Sequence, residues 1–212
     1  MNVSTDTKPP LSDEALIARI LNGEKRLFEL LMRKYNQRLY RIGMSVLADE
    51  TETEDAMQTA YINAYEHLSG FEYRSSFSTW LTRIMLNQCY KQKRETGQPR
   101  GDFGQQDNFI HMETPANELA NKELCAVLEQ AITRLPEKYR LVFMMREIED
   151  MTVRDTSMAL NIEETNVKVR LNRAKTMLRK NLSSYMKDNV YDFHLSRCDS
   201  IVSRVMQHIG IS

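Results

Sequence analysis

The stretch Met151–Lys175, MTVRDTSMALNIEETNVKVRLNRAK, decides the fold of the C-terminal half. Thr152 caps a first helix, and Ser157 is small where two helices must approach closely. Asn161 tolerates the left-handed backbone that a tight turn demands, and Ile162 plugs the corner. Val167, Leu171, Ala174 and Leu178 then recur at steps of four, three and four, which is one face of a second helix. Asn166, Lys168, Val169, Arg170, Asn172 and Arg173 are left to face outward, and Lys175 extends the basic run. A recognition helix in a DNA major groove needs donors near its N-terminal half and bases along its length for phosphates. A plain helical hairpin has the same turn, so the charge pattern has to separate the two readings.

That pattern is segregated. Lys and Arg total 29 and Asp and Glu total 29, so net zero excludes a uniformly basic nucleic-acid binder but not one with basic faces. From Thr165 to Lys187 the charges are all basic, ending in Arg179, Lys180 and Lys187. A second basic run holds Arg74, Arg83, Lys91, Lys93 and Arg94. From Asp49 to Glu66 the charges are all acidic: Asp49, Glu50, Glu52, Glu54, Asp55 and Glu66. A single charged run is usually a solvated helix face. Two basic helices in separate parts of the chain, one of them closing a helix-turn-helix, favour DNA.

The rest of the chain reads as helical. Gly at 7 and Pro at 5 in 212 residues leave long stretches without a breaker. Hydrophobic residues at 42% supply a core. Cys89, Cys125 and Cys198 are too scattered for a disulfide framework, and a reducing compartment is expected. The first ten residues carry no apolar signal core, and no run approaches the ~20 apolar residues of a membrane span.

An all-α architecture of two small domains follows. Residues 1–11 form a disordered leader. Residues 12–95 form a first domain, with helices over about 12–21, 24–47, 51–68 and 78–95. Residues 96–116, where Gly97, Pro99, Gly101, Gly104 and Pro115 concentrate, form a flexible linker that should exchange its amide hydrogens freely. Residues 117–186 form the helix-turn-helix domain. Residues 187–212 form an amphipathic tail, with Phe193, Cys198, Ile201, Val202, Val205 and Met206 on one side, docking on the second domain. Truncation after Asn189 is expected to lower stability or alter regulation and to leave DNA affinity intact.

Four segments in order resemble the extracytoplasmic-function (ECF) sigma factors of bacterial RNA polymerase. Glu54–Tyr61, EDAMQTAY, is similar to the family's EDAxQExF helix. Gly70–Ile84 with Asn87 resembles its FxxxxxFxTWLxxIxxN segment. Leu135–Arg140, LPEKYR, is like its LPxxxR motif, and Asn166–Ala174, NVKVRLNRA, is like its TVKSRLxRAR helix. The resemblance implies sigma region 2 over 12–95 and sigma region 4 over 117–186, two partners (core RNA polymerase and promoter DNA) and a possible anti-sigma factor. It implies that Glu54, Asp55, Gln58 and Ile62 meet the polymerase. Phe71, Tyr73, Arg74, Phe77, Arg83, Asn87 and Lys91 would then serve the −10 element, with Asn87 beside a captured, flipped base. Asn166, Lys168, Arg170, Asn172, Arg173 and Lys175 would serve the −35 element. Thr156-Ser157, Asn166 and Val169 depart from the family pattern, which puts the base preference in question.

The chemistry of the residues supports part of this unaided. An extruded base needs an aromatic pocket and a polar group for its edge. Among the aromatics, Trp80 and Phe77 read as core, and Phe71, beside Gly70 at a loop start, reads as the exposed one. Arg74, Arg83, Lys91, Lys93 and Arg94 read as phosphate holders. Asp55, Gln58 and Ile62 share a helix face with an apolar centre and a polar rim, although an acidic helix can also be simply solvated. No catalytic acid–base pair, phosphate loop or dinucleotide fingerprint is present, so neither an enzyme nor a cofactor is expected. His194, Cys198 and His208 can be imagined as metal ligands, but Cys198 sits in an apolar stripe, and no metal site is expected. The alternative function is a helix-turn-helix regulator without a sigma role.

Overall fold

The computed structural model describes residues 11–96 and 117–189, together with Arg204. The leader (apart from Leu11), linker residues 97–116 and the tail beyond Asn189 (apart from Arg204) lie outside the described residues, as do the expectations placed on them. Every regular element among the described residues is helical.

The N-terminal half holds α1 (Asp13–Leu21), α2 (Phe28–Leu47), α3 (Glu50–Glu66) and α4 (Phe77–Glu95). Local chemistry sets their ends. Ser12 caps α1 by accepting from the Ala15 amide at 3.3 Å, Asp49 caps α3 from Glu52 at 2.8 Å, and Ser76 caps α4 from Thr79 at 3.1 Å. Gly23 takes a φ of 106° and stops α1. Lys25–Leu27 is a short 3₁₀ turn rather than the start of the second helix. Leu31, Leu39, Ile42 and Val46 give α2 a fully buried stripe. Where α2 meets α3 and α4, Gly43 allows the closest approach. A Cβ there would come within 2.6 Å of both Met85 Cε and Thr53 Cγ2. Overpacking costs about 1–3 kcal/mol, against a gain of about 1 kcal/mol from better helix propensity. Gly43→Ala should therefore lower stability by about 1 kcal/mol, seen as an earlier urea midpoint with an unchanged slope.

The C-terminal half holds α5 (Asn117–Thr133), α6 (Glu137–Phe143), a π-helical turn (Met144–Ile148), α7 (Val153–Leu160) and α8 (Glu164–Asn189). Leu135, Tyr139, Phe143 and Ala174 form its own small core. Leu141, Met145, Met151 and Ala159 instead join the core of the N-terminal half. The two helical units therefore pack directly on each other, α7 against α4 and α6 against α2.

Polar contacts line the same seam. Arg140 donates to the Ser45 carbonyl at 2.9 Å, Lys93 pairs with Glu137 at 2.7 Å, and Thr79 donates to Asp155 at 2.8 Å. This widens the buried side of α4 beyond the stripe expected from its sequence. Thr79, Thr82, Leu86 and Lys93 are buried, while Trp80 and Ile84 are only half-buried at the edge.

Candidate nucleic-acid and polymerase interface

The helix-turn-helix is built by local hydrogen bonds. Thr152 accepts from the Asp155 amide at 3.0 Å, and Asn161 takes a left-handed φ of 51°. Ser157 donates to the Ile162 carbonyl at 2.6 Å, which explains a small polar residue at the corner. Val167 and Ala174 are fully buried, which turns Asn166, Lys168, Val169, Asn172, Arg173 and Lys175 outward and exposed. Arg170 is half-buried, and its Nε donates to Asn166 Oδ1 at 3.1 Å. Arg173 donates to the Tyr139 hydroxyl at 3.4 Å, and this contact lowers the phenol from its ordinary range. Lys175 pairs with Glu147 at 2.8 Å. Lys168 and Asn172 are thus presented outward, while the two arginines are held in defined orientations.

The segment before α4 differs from its sequence reading. Phe71 is only 7% exposed, so it is not the open aromatic. Its ring lies 4.7 Å from Tyr73, 5.1 Å from Trp80 and 5.8 Å from Phe77, and three neighbouring rings cover it. Phe77 is buried as expected, and Tyr73, 51% exposed with a φ of 56°, is the aromatic turned to solvent. Arg74 is exposed and ion-paired with Glu72. Arg83, Asn87 and Lys91 are exposed and spaced by four along one row of α4. Lys93, read from sequence as a phosphate holder, is 4% exposed and engaged by Glu137, so it is covered while the two halves are packed together.

On α3, Glu54, Asp55, Gln58 and Ile62 are all exposed. Glu54 and Gln58 line an open groove between α2 and α3, with Met32, Asn36, Tyr40 and Tyr61. Tyr61 closes its floor, its hydroxyl 2.9 Å from Asn36 Oδ1 and 3.1 Å from the Met32 carbonyl. Asp55 and Ile62 stand outside the groove. The surface joins an apolar floor to an acidic rim and suits a basic helical ridge.

No cluster of His, Cys, Asp and Glu suited to a metal occurs among the described residues, and His194, Cys198 and His208 lie outside them or their described side chains. Burial pushes the Cys89 thiol up to about 12, so it is a packing residue and not a reactive one. No described helix is long and apolar enough to cross a membrane.

Among the described residues, an all-helical fold with an outward basic recognition helix, a second basic helix beside an aromatic cluster and a groove with an acidic rim defines a two-module DNA-binding protein. The family model of sigma-70 region 2 matches residues 31–98, and that of sigma-70 region 4 matches residues 125–178, together more than half of the chain. The chain belongs to the sigma-70 family of RNA polymerase sigma factors, in its extracytoplasmic-function group. It is 29% identical over 186 residues to the RNA polymerase sigma-H factor of Pseudomonas aeruginosa, covering 83% of this chain and 96% of that one. It is 28% identical over 176 residues to the ECF sigma factor SigW of Bacillus subtilis, covering 78% and 94%. The fold matches the sigma factor RpoE of Bartonella quintana, solved with the anti-sigma factor NepR, with a TM-score of 0.59 at 19% identity over 74% of this chain and 96% of that one.

Proposed function

We propose that this chain is the promoter-recognition subunit that directs core RNA polymerase to −10 and −35 elements, opens the duplex and starts transcription, without catalytic chemistry of its own. The observation that carries the reading is one basic, outward-facing helix in each of two modules, beside the groove between α2 and α3. Residues 12–95 serve as region 2 and 117–186 as region 4, joined by the 96–116 linker. Glu54, Asp55, Gln58 and Ile62 meet the polymerase. Asn166, Lys168, Arg170, Asn172, Arg173 and Lys175 meet the −35 element.

Tyr73, Arg74, Arg83, Asn87 and Lys91 meet the −10 strand, with Phe71 and Phe77 as the aromatic wall behind it. The protein works in the cytoplasm, where polymerase and promoters are. An anti-sigma factor is a fitting regulator, since the Bartonella relative was solved with one.

Run-off transcription with purified core polymerase and no other sigma factor tests the proposal. A promoter-specific transcript is expected. Its absence, with duplex binding retained, favours the helix-turn-helix regulator instead. Asn87→Ala should spare duplex binding and impair opening, and permanganate footprinting that shows normal opening removes Asn87 from the site. Tyr73→Ala is expected to impair opening and to lower stability by about 0.5–1.5 kcal/mol, the worth of its ring pair with Phe71.

A further inference from the structure

We propose that Arg38 and Arg41 form a binding site for DNA backbone phosphate beside the −10 segment, and that Glu149 of the C-terminal half occupies this site while the two halves are closed. The proposal rests on the sigma reading for the identity of the strand, but the site itself is defined by contacts. Arg38 and Arg41 lie three apart on α2 and share a face. Arg38 Nε donates to Glu149 Oε2 at 3.1 Å, and its second terminal nitrogen donates to the Glu149 carbonyl at 2.8 Å. Its remaining nitrogen meets the Ser78 hydroxyl at the start of α4. Arg41 donates to the other carboxylate oxygen, Oε1, at 3.0 Å. One carboxylate thus has each oxygen held by a different guanidinium, and Glu149 is 7% exposed. Guanidinium forks recognise carboxylate and phosphate oxygens by the same planar donor geometry.

The charge count supports exchange. Two guanidiniums face one carboxylate, so the contact leaves one positive charge over. A strand passing with two phosphates neutralises both. The position fits as well. The Arg38 guanidinium lies over the Tyr35 ring at 5.9 Å, Tyr35 packs on Phe77 at 5.8 Å, and Phe77 touches Phe71 and Trp80. The cationic site is therefore continuous with the aromatic cluster of the −10 segment. Glu149 itself sits between the π-helical turn Met144–Ile148 and Asp150, which takes a left-handed φ of 50°, so its carboxylate is carried by an irregular connection rather than a helix interior.

Promoter spacing requires the two halves to part. α7 packs against both α4 and α8, so the recognition helix stands one helix away from α4. Promoter elements about 25 base pairs apart are separated by roughly 85 Å of duplex at about 3.4 Å per base pair. A closed molecule cannot reach both. Opening withdraws Glu149 and leaves Arg38 and Arg41 to the strand.

The test compares two ways of breaking the contact in the full chain. Fluorophores on cysteines placed at exposed Leu30 and Met177, with Cys125 and Cys198 changed to serine, report the separation of the halves. Glu149→Gln, Glu149→Lys and the double variant Arg38→Gln/Arg41→Gln should all lengthen that distance. Binding of a twelve-nucleotide oligothymidylate should rise severalfold only in the Glu149 variants. Their slope of log affinity against log salt should be steeper than that of the double variant by about 1.4, the value for two single-strand phosphate contacts. Arg41→Gln alone, at a more exposed position, should lose about half of that slope if the double variant does not fold.

Equal DNA binding by the Glu149 and arginine variants overturns the phosphate site, and equal DNA binding by Glu149→Gln and the unaltered chain overturns its occupation by Glu149. Run-off transcription separates this proposal from the parent reading. A transcript from Glu149→Gln holoenzyme with no difference in slope removes only the site. Absence of any transcript from the unaltered chain removes the sigma role and leaves the oligothymidylate result standing.

Discussion

Arg140→Ala should lower the free energy of unfolding by about 3 kcal/mol or more, since three buried carbonyls lose their donor at about 1–3 kcal/mol each. Arg140 is 3% exposed, and burial lowers its guanidinium from the ordinary value while leaving it charged. It donates to three carbonyls: Ser45 at 2.9 Å, Thr133 at 2.7 Å and Leu135 at 3.1 Å. Two of these close the end of α5 and its turn, and the third belongs to α2. Truncation leaves those oxygens without this donor in a buried seam, and an unmet buried acceptor costs about 1–3 kcal/mol. Urea unfolding followed by circular dichroism measures the loss. A loss under about 1 kcal/mol means that the contact with Ser45 is not made in solution. The arginine of the LPEKYR motif is thus a fold residue that ties the two halves together, rather than a DNA contact.

Arg170→Ala and Arg173→Ala should each weaken binding to a −35 duplex by about 1–3 kcal/mol where the side chain reads a base with two hydrogen bonds. This is roughly a 5- to 150-fold loss in anisotropy titrations. The size of the loss cannot by itself assign the role, but salt and sequence can. A base contact relaxes specificity at one position, whereas a phosphate contact weakens all duplexes alike and reduces the salt slope by about 0.9. The local geometry adds an expectation for each arginine. Asn166 holds Arg170 at 3.1 Å, so Asn166→Ala should reproduce part of the Arg170→Ala loss. The Tyr139 hydroxyl holds Arg173 at 3.4 Å, so Tyr139→Phe should affect the Arg173 contact and not the Arg170 one. Double-mutant cycles that show no coupling in either pair would mean the holding contacts are irrelevant to DNA.

The sequence by itself determined the helices, the turn and the outward face of α8. Ser12 and Thr152 cap, Gly23 and Asn161 stop, and Val167 and Ala174 point inward, because each of these depends on residues within about four positions along the chain. Only the tertiary structure decided which side of α4 is open. Lys93 looks like any other base of that helix until Glu137, 44 residues away, covers it. Phe71 looks exposed beside Gly70 because nothing local reveals that Tyr73, Phe77 and Trp80 close around it. Arg38 and Arg41 meet Glu149 across 111 and 108 residues, and their own neighbourhood shows only two bases on a helix face. Helical periodicity tells which residues share a face. Which face is covered, and by what charge, is set by packing between segments distant in sequence.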